Sequence, residues 1–454
     1  MSTEIRRYVR SLGLDAYVVG GAVRDELLGI EHADEDFLVP GVDHAGLRAA
    51  LEPHGAVEDM EVHGQLVGVR FYPRDRAIRA LAPAGIELTP PRKERSVGPG
   101  HRDFEIVADP TVSIADDMAR RDFTVNAMAR RLETGELVDP FGGLEHLERR
   151  ELHTVGRDSF REDPLRILRG LRLLSQLSFT LTDETLGQMR AEAPGLRHVS
   201  AERIGGGLAA DGMGELSKLL LGTQPAKALR LARDTGALVQ FLPEYEAAIG
   251  YELRTERQPA PLDEHLFEVV QSTADAEDEL SVRLAALLHD LGKPDADRSG
   301  EDHAQLGAVI AGRVLRRLRY PNALRQEVAR LVGGHAFHLD GTIDGLFARR
   351  FLASHGIERA RRLVAHKRAD LAAKVVEPWE HEHLAVLERR LEEERDSPHR
   401  LAQLAVDGND LIEVGYREGP ALGEELARLL DIVIDDPVAN DRATLLEEAR
   451  RCLA

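Results

Sequence analysis

The sequence contains a single cysteine and no long uninterrupted hydrophobic run. Cys452 is the one cysteine among 454 residues, which excludes an intrachain disulfide and a metal site built from cysteines. No apolar stretch approaches the ~18–20 residues that a helix needs to cross a bilayer. The first ten residues, MSTEIRRYVR, lack the apolar stretch of a signal peptide. These absences predict a protein of the reducing cytoplasm with no membrane partner.

Lysine is scarce, and the net charge is acidic. Lysine provides six of the 59 basic residues, and 79 acidic residues bring the net charge to -20. Because surfaces that bind polyanions are usually basic, this composition taken alone disfavours a nucleic-acid partner. Many of the arginines, however, are concentrated between Arg120 and Arg172. A locally basic surface is therefore compatible with the acidic total.

The length and the hydrophobic pattern predict several domains. At ~100–200 residues per domain, this chain holds more than one. Short β-branched runs (YVV, FLV, LVGVRFY, GIELT) accompany a helix-like stretch early in the chain, which predicts an α+β domain. After Leu152, apolar residues recur at spacings of three and four, which predicts a helical remainder. The predicted segments are 1–148, 149–258, 259–375 and 376–454.

A glycine turn near the N-terminus carries the first chemical signal. An apolar strand runs into Gly20 and Gly21, which let the backbone approach a triphosphate. A helix predicted to begin near Val23 offers unpaired N–H groups at its N-terminus, and Arg24 adds a charged donor. For this turn alone, an ordinary glycine turn is the alternative interpretation.

Two acidic residues follow on the next predicted strand. Asp34 and Asp36 lie two apart, so their side chains share one face of the strand. Paired carboxylates suit Mg²⁺, and two such ions activate an attacking hydroxyl and stabilise leaving pyrophosphate in phosphoryl transfer. Glu87 is a candidate third carboxylate, with an exposed strand glutamate as the alternative. Together, the turn and the carboxylates favour a site for phosphoryl transfer.

These residues resemble a known family, the class II tRNA nucleotidyltransferases or CCA-adding enzymes, together with the related bacterial poly(A) polymerases. GGAVRD and the following DED match the metal and triphosphate motif, and ARRDFTVNAMA matches the second motif. DPFGG matches the junction between head and neck, and REDPLRILRGLR matches the motif that selects the nucleobase. The resemblance implies an α+β nucleotidyltransferase head of the polymerase-beta-like fold, followed by an all-α neck, body, HD domain and tail.

The resemblance also implies a function and a set of site residues. It implies addition of CCA to tRNA 3′ ends without a template, with CTP, ATP and the tRNA acceptor arm as partners and no DNA. Asp34, Asp36 and Glu87 would be the catalytic carboxylates that hold Mg²⁺. The implied nucleotide-binding residues are Gly20, Gly21, Arg24, Arg121, Asp122, Asp163, Arg166, Arg169 and Arg172.

Base selection is implied for one short helix. Asp163 and Arg166 are three residues apart, which predicts that they share a helix face and offer acceptors and a planar donor group to a base edge. Arg169 and Arg172 continue that face and would hold nucleotide phosphates or the primer end. An amphipathic helix with solvated arginines is the alternative for this segment.

Two segments depart from the family pattern. Glycines at 205, 206, 207, 212 and 214 each weaken a helix by about 1 kcal/mol, so we expect the neck helix to be broken or to carry an insertion. The stretch between Arg92 and Asp116 stands where the family has a flexible loop that helps to switch from C to A addition. A specialist that adds only CC or only A therefore stays open.

A second constellation lies in LAALLHDLGKP. His289 and Asp290 are adjacent in a leucine-rich helix, where burial without a partner is costly and a metal would satisfy both. The segment resembles the HD phosphohydrolase domain. That resemblance implies a metal bound by His265, His289, Asp290 and Asp370, with His303 and His335 as candidates for a second metal. These donors suit Mn²⁺, Ni²⁺, Co²⁺ or Fe²⁺ better than an all-oxygen Mg²⁺ site. Ordinary packed histidines are the alternative.

Other functions remain open at this stage. A poly(A) polymerase would extend many RNAs with ATP. A phosphodiesterase or phosphatase would use the HD site as its main activity, with a head that merely binds nucleotide. A non-catalytic RNA-binding protein is disfavoured because the carboxylate pair is intact.

Overall fold

The computed structural model describes residues 2–31, 35–62, 64–96, 104–108, 110–206, 213–253 and 255–453. Two units make up the chain, Met1–Pro243 and Glu244–Ala454. The finer division into four segments stays a prediction.

Strands are concentrated in the first unit. They are β1 (Tyr17–Val19), β2 (Asp36–Leu38), β3 (Gly55–Val62), β4 (Gln65–Pro73), β5 (Ile86–Thr89), β6 (Arg92–Ser96), β7 (Phe104–Ala108), β8 (Ala129–Arg131), β9 (Leu137–Val138), β10 (Glu151–Leu152) and β11 (Thr180–Leu181). Within the described residues, a seven-stranded sheet has the order β3-β4-β5-β2-β1-β8-β9, and β6 pairs with β7 and β10 with β11.

The centre of the large sheet carries the acidic motif. Strand β2 runs antiparallel to β1 and parallel to β5, with Val19 opposite Asp36 and Asp36 opposite Glu87. Val18 and Phe37 are buried in these central strands because their apolar side chains point into the core. Asp36 itself is exposed at the start of β2. The central strands therefore bury apolar side chains, while Asp36 and the neighbouring Glu87 lie outside the core.

Helices complete the first unit. They are α1 (Ser2–Ser11), α2 (Gly21–Leu28), α3 (His44–Leu51), α4 (Arg76–Leu81), α5 (Ile114–Ala119), α6 (Gly143–Glu148), α7 (Ser159–Glu162), α8 (Leu165–Leu177), α9 (Asp183–Glu192), α10 (Ala201–Ile204), α11 (Glu215–Leu220), α12 (Pro225–Asp234) and α13 (Leu238–Phe241). Helix α8 buries Ile167, Leu168 and Leu171, and its arginines lie along the remaining surface or in polar contacts. This is the amphipathic pattern that the sequence predicts.

The predicted break in the neck is present. Helix α10 ends at Ile204 and α11 begins at Glu215. The Gly214 N–H donates to the Gly205 carbonyl over 2.7 Å, and a side chain on Gly214 would overlap the backbone of Ile204. Glycine at 214 is thus required by a close approach of two backbone segments. Residues 207–212 lie outside the described part of the chain.

Two features of the sheet differ from a simple pattern count. Strand β3 was not predicted, because its sequence GAVEDMEV carries acidic residues along an edge strand and lacks a β-branched run. Strands β6 and β7 pair antiparallel within the stretch between Arg92 and Asp116, which was expected to be a loop. Residues 97–103 and 109 of that segment lie outside the described residues.

The described part of the second unit is helical, as predicted. Its helices are α14 (Leu262–Asp275), α15 (Leu280–Leu288), α16 (Lys293–Ser299), α17 (His303–Arg317), α18 (Asn322–Gly334), α19 (Gly345–His355), α20 (Ile357–Ala372), α21 (Pro378–Glu393), α22 (Gly408–Glu413), α23 (Pro420–Asp435) and α24 (Arg442–Leu453). Helices α14, α15, α18 and α20 pack against one another and position the HD residues. Helices α22, α23 and α24 enclose a separate apolar cluster that includes Leu411, Leu429 and Leu445.

Among the described residues, no helix combines the length and the apolar character that crossing a membrane requires.

Candidate active sites

Gly20 forms the turn between β1 and α2. Its φ of 73° lies in the left-handed region, which glycine adopts without strain. A side chain at Gly20 would also overlap the guanidinium of Arg121. The Gly20 carbonyl accepts the N–H groups of Val23 and Arg24, so the helix begins at Gly21, two residues before the predicted start. The turn therefore has a backbone reason and a packing reason for glycine.

Arg24 connects this turn to the second motif. Its Nη1 donates to Asn126 Oδ1 over 2.7 Å, and its Nε donates to Asp25 Oδ1 over 2.8 Å. Asn126 Nδ2 in turn donates to Asp122 Oδ1 over 2.9 Å. Sequence reasoning placed Asn126 in a motif without giving it a role. The structure makes it the link between Arg24 and Asp122.

Asp36 and Glu87 lie opposite each other in neighbouring parallel strands. Register partners point to the same face of a sheet, so Asp36 and Glu87 share one face. Their predicted role as joint metal ligands stays a prediction. Glu87 Oε1 also accepts from Arg70 Nη2 over 2.5 Å. Carboxylate oxygens are the donors that a hard divalent cation prefers, so Asp36 and Glu87 fit such an ion. Asp34 lies outside the described residues, and its place in the site stays a prediction.

Glu35 turns its side chain away from solvent and meets helix α1. The side chain is 4% exposed, and its Oε1 accepts from Arg6 Nε over 2.8 Å. Arg6 also contacts Glu26, which pairs with Arg130 over 2.9 Å. A buried carboxylate next to Asp36 is therefore held by an arginine that is 29 residues away in sequence.

For the Mg²⁺-dependent nucleotide addition that the resemblance implies, replacement of Arg6 with methionine is expected to raise the Mg²⁺ concentration at half-maximal rate by about 10-fold. The reason is that the buried Glu35 carboxylate loses its ion pair with Arg6 and shifts the start of β2, where Asp36 lies. Titration of Mg²⁺ in a nucleotide-incorporation assay measures the effect. Arg7→Met, at an exposed neighbouring position, is the control. An unchanged Mg²⁺ dependence in Arg6→Met, or no recovery on adding Glu35→Gln, would contradict this role.

Asp122 is the hub of the second motif. Its Oδ2 accepts from Arg169 Nε over 2.7 Å, and its Oδ1 accepts from the Phe123 N–H over 2.8 Å. Burial alone would raise the pKa of Asp122, but the charge of Arg169 and these hydrogen bonds hold it well below its usual range. An ionised Asp122 therefore fixes Arg169 of helix α8 beside the head motif.

Replacement of Asp122 with asparagine is expected to lower the free energy of unfolding by about 3 kcal/mol at neutral pH. Because its pKa is lower in the folded state than the ~3.9 of an unfolded chain, the carboxylate's contribution is complete above about pH 5. It is lost as the pH falls toward the folded-state value. Urea unfolding at several pH values should show that the difference in free energy of unfolding between parent and variant becomes smaller as the pH falls from about 5 to 3.

Asp158→Asn is the matched control for that measurement, since Asp158 is exposed and pairs with the exposed Arg161. Its effect should stay within about 1 kcal/mol. A gap between parent and Asp122→Asn that does not change with pH would disprove the electrostatic account of Asp122.

Asp117 was missed by sequence reasoning. It is fully buried and accepts from Arg120 Nη2 over 2.8 Å and from Arg121 Nη2 over 3.3 Å. Burial lowers the pKa of Arg121, which its ion pair with Asp117 partly offsets. The spacing of three and four residues on a helix was the available signal. Asp117 thus holds both arginines of the motif in place.

The predicted helix face of Asp163 and Arg166 needs a correction. Asp163 has extended backbone angles and precedes α8, because the residue before a proline disfavours the helical region and Pro164 follows it. Its carboxylate accepts from the Leu165 N–H and from Arg203 Nη2. Asp163 therefore lies at the start of the helix, one turn from Arg166, and not on its face.

Arg166 is 9% exposed, and its donors are used within the chain. Its Nη1 donates to the Ser159 hydroxyl over 3.0 Å, and its Nη2 donates to the Arg120 carbonyl over 2.6 Å. Further along α8, Arg172 Nε donates to Glu215 Oε2 over 2.7 Å. The predicted roles of Asp163, Arg166 and Arg172 toward a nucleotide stay predictions.

The structure brings the four predicted HD residues into one cluster. His265 Nε2 lies 3.2 Å from Asp370 Oδ1, and His289 Nε2 lies 3.2 Å from Asp290 Oδ2. All four side chains are at most 2% exposed. Helices α14 and α20 supply His265 and Asp370, and the end of α15 supplies the other two.

His303 and His335 face the other oxygen of the central carboxylate. Their Nε2 atoms lie 3.7 Å and 3.4 Å from Asp290 Oδ1. Asp290 therefore belongs to two groups of ligand atoms, one with His265 and His289 and one with His303 and His335. Each group is compact, with its ligand atoms within 4.8 Å of one another.

The cluster fits a divalent metal in its chemistry. The Nδ1 atoms of His289 and His335 lie 3.0 Å and 2.7 Å from the carbonyls three residues earlier, which fixes the rings with Nε2 toward Asp290. Three buried atoms form no well-aligned hydrogen bond among the described residues: His265 Nε2, His289 Nε2 and Asp370 Oδ1. A coordinated cation satisfies such atoms at once.

The electrostatics agree with a cation site. Burial alone would raise the pKa of Asp290 and Asp370, but the neighbouring histidines and lysines hold both well below their usual range. Lys293 lies 2.6 Å from Asp290, and Lys374 lies 2.7 Å from Asp370. Both carboxylates are therefore ionised and available to a metal.

His366 is a further residue that sequence reasoning missed. It is fully buried on α20, with its ring centroid 4.8 Å from that of His289. Burial holds its pKa well below the usual range, so the imidazole is neutral. Its position four residues before Asp370 on one helix was the available signal.

Known proteins resemble the chain along nearly its whole length. A multifunctional CCA protein of Stenotrophomonas maltophilia is 34% identical over 433 residues, which cover 91% of this chain and 97% of that protein. This chain belongs to the CCA-adding enzyme family. A multifunctional CCA protein of Xanthomonas campestris is 37% identical over 322 residues, covering 68% of this chain and 72% of that protein.

Family and structure comparisons agree with this membership. The Poly A polymerase head domain matches residues 16–153, a probable RNA and SrmB-binding site of polymerase A matches 178–249, and the HD domain matches 262–405. The Bacillus stearothermophilus CCA-adding enzyme in complex with CTP has a TM-score of 0.69 at 26% identity, covering 100% of this chain and 98% of that one. The Thermotoga maritima enzyme complexed with tRNA shares the fold, with a TM-score of 0.59 at 21% identity over 99% and 94% of the two chains.

The predicted family, the fold class and the nucleotidyltransferase class are therefore confirmed. A CCA-adding enzyme with an HD domain depends on divalent metal ions at both centres.

Proposed function

We propose that this enzyme adds CCA to tRNA 3′ ends from CTP and ATP without a template. The single observation that carries the proposal is the 34% identity to a multifunctional CCA protein over nearly the full length of both chains. The glycine turn at Gly20 and the paired Asp36 and Glu87 supply the chemistry that such a reaction needs. The rival functions lack this combination of support.

In the proposed reaction, the tRNA 3′ hydroxyl oxygen forms a bond to the α-phosphorus of the nucleotide. The bond to the β-phosphate oxygen breaks, pyrophosphate leaves, and the hydroxyl proton is lost. Bound Mg²⁺ would neutralise the charge that develops on these phosphates. Asp34, Asp36 and Glu87 would hold it. Positioning and electrostatics then supply most of the rate.

The remaining site residues would bind the nucleotide. The Gly20 turn, the N-terminus of α2 and Arg24 would hold the triphosphate, since backbone N–H groups and a guanidinium suit an anion. Asp163 and Arg166 would read the base edge once the Arg166 donors exchange their partners in the chain for the base. Arg121 and Arg169, held by Asp117 and Asp122, would contact the nucleotide or the primer end.

The proposed RNA partner is the tRNA acceptor arm. The Thermotoga maritima relative is described in a complex with tRNA, and the Bacillus stearothermophilus relative in a complex with CTP. A cytoplasmic location is part of the same proposal. It rests on the lone Cys452, which leaves no intrachain disulfide.

A mixed-substrate experiment tests this function. Purified protein receives Mg²⁺, CTP, ATP, a tRNA transcript that lacks CCA and an unrelated RNA of equal length. We expect the tRNA to gain three nucleotides and the unrelated RNA to gain none. Long adenosine tails on both RNAs would establish a poly(A) polymerase, and no addition by folded protein would move the main activity to the HD centre.

We also propose a metal-dependent phosphohydrolase activity for the HD centre. The observation that favours it is the buried cluster of His265, His289, Asp290 and Asp370, in which each histidine Nε2 lies between 3.2 and 3.7 Å from an oxygen of each aspartate. Mn²⁺, Ni²⁺, Co²⁺ or Fe²⁺ suits these nitrogen and oxygen donors. The bound metal would activate water against a phosphoester. Hydrolysis of a phosphoester by protein loaded with each metal tests this activity.

A further inference from the structure

A cationic cavity opens beside the HD cluster. It has a volume of about 390 Å³, and Asp290, His335 and Asp370 form part of its wall. Four basic side chains and two aromatic rings contribute to its wall: Arg257, Lys293, Lys367 and Lys374, with Phe337 and Trp379. The carboxylates of Asp340 and Glu380 also line it, so the basic groups stand beside acidic ones. Cations suit a phosphate, and aromatic faces suit a nucleobase. The cavity therefore fits the phosphorylated nucleoside of an ester.

A second cavity of about 430 Å³ shares Lys293 and His303 with the first. Among the described residues that line the second cavity there is no phenylalanine, tyrosine or tryptophan, and Asp297 and Glu301 provide carboxylates. Negative charge disfavours a second phosphate there. Carboxylates do accept hydrogen bonds from hydroxyl groups. The two cavities thus differ in chemistry on the two sides of Lys293 and His303.

Gln258, one of the residues that line the second cavity, has an unused donor. The side chain is 4% exposed, and its Oε1 accepts from Lys293 Nζ over 3.1 Å. Because a lysine ammonium cannot donate to an amide nitrogen, this contact fixes which end of the amide is Nε2. Gln258 Nε2 has no hydrogen-bond partner among the described residues. A buried unpaired donor is costly, so a ligand acceptor in this cavity would satisfy it.

We propose that Thr255, Gln258, Asp297 and Glu301, here named the Gln258 subsite, bind the ribose that leaves when the HD centre cleaves a ribonucleotide phosphodiester. This inference rests on the proposed phosphohydrolase activity. The cationic cavity holds the nucleoside that keeps the phosphate. Gln258 Nε2 donates to an oxygen of the leaving ribose, and the two carboxylates accept hydrogen bonds from its hydroxyl groups.

The reaction balances without a further reactant. The oxygen of water forms a bond to phosphorus, and the bond from phosphorus to the ribose oxygen breaks. One proton of the water moves to that leaving oxygen, and the other is released from the new phosphate. The products are a nucleoside monophosphate and a nucleoside with a free hydroxyl.

Two diesters that differ in the leaving group test the subsite. Adenylyl-(3′→5′)-adenosine leaves a ribose, and adenosine 5′-(4-nitrophenyl phosphate) leaves a nitrophenol, while both keep a 5′-phosphorylated adenosine. Full-length protein is loaded with Mn²⁺ or Ni²⁺. In Gln258→Met and Gln258→Glu we expect kcat/KM to fall about tenfold for the first diester and to change less than about twofold for the second.

The two substitutions complement each other, because both remove the donor and only glutamate keeps an acceptor for Lys293. Arg298→Gln is the control. Arg298 is exposed on α16, the helix that carries Lys293 and Asp297, and it pairs with Asp295. Equal losses for both diesters, or no loss for either, would overturn the subsite.

Binding separates the subsite from the hydrolase activity. Calorimetric titration with adenosine of metal-free protein, saturated beforehand with adenosine 5′-monophosphate to fill the first cavity, should show binding in the parent that weakens about tenfold in Gln258→Met. If neither diester is cleaved but this weakening is seen, the phosphohydrolase proposal fails and ribose binding by the subsite stands. If adenosine binding is the same in parent and variant, the subsite is refuted.

Discussion

Asparagine in place of Asp36 is expected to lower the rate of nucleotide addition by at least about 100-fold. Substitution of a residue that only supports a metal ligand already lowers metal affinity or activity by ~10–100-fold. Asp36 is proposed as a ligand itself, so we expect a larger loss of rate. The substitution should leave the fold intact, because Asp36 is exposed at the start of β2 and lies outside the core. Single-turnover incorporation of CTP into tRNA that lacks CCA measures the rate.

Glu61→Gln is the matched control for that experiment. Glu61 is an exposed acidic residue of β3, at the edge of the same sheet, so this variant should keep the parent rate. Thermal unfolding of both variants checks the fold. A rate for Asp36→Asn within about tenfold of the parent would remove Asp36 from the metal site.

Asparagine in place of Asp290 is expected to abolish metal retention by the HD centre. Asp290 contributes to both groups of ligand atoms, so both lose a charged donor at once. We expect the metal that remains after gel filtration to fall by at least about tenfold. CTP incorporation into tRNA should change by less than a factor of two, because the proposed head site shares no residue with this cluster.

His303→Gln provides a graded comparison for Asp290→Asn. His303 belongs to the second group alone and is 34% exposed, so its loss should spare the metal held with His265 and His289. Elemental analysis of the filtered proteins gives the metal content. Full metal content in well-folded Asp290→Asn would contradict the assigned centre. Loss of CTP incorporation in that variant would contradict the independence of the head site from the HD centre.

Local sequence patterns were enough to predict the main elements of the glycine turn in the head. The strand, glycine turn and helix around Gly20 follow from a short apolar run and two glycines, and the structure differs only in the first helical residue. The Asp163 error had a local cause that was also visible in the sequence. Pro164 disfavours helix at the residue before it, so a count of three residues to Arg166 did not place both on one face.

Partners far apart in sequence were beyond such patterns. Arg6 meets Glu35 across 29 residues, and Asp122 meets Arg169 across 47. Nothing in the spacing of these residues indicates that they touch, because tertiary packing brings them together. The HD residues were an exception, since the resemblance supplied a distant set whose convergence the structure then displays.

The lone donor of Gln258 shows the same limit in another way. An exposed loop glutamine is the ordinary expectation for the segment before α14. Its burial and its contact with Lys293, 35 residues later, appear only once the helices of the second unit are packed.

The most direct test of the account uses three tRNA transcripts that end before CCA, after C and after CC. Each receives CTP alone, ATP alone or both, and gel electrophoresis shows which nucleotides are added. We expect CTP alone to extend the first two transcripts to CC, ATP alone to extend only the third, and both together to stop every transcript at CCA. Growth beyond CCA, or addition of adenosine directly to the first transcript, would contradict a template-independent enzyme specific for CCA.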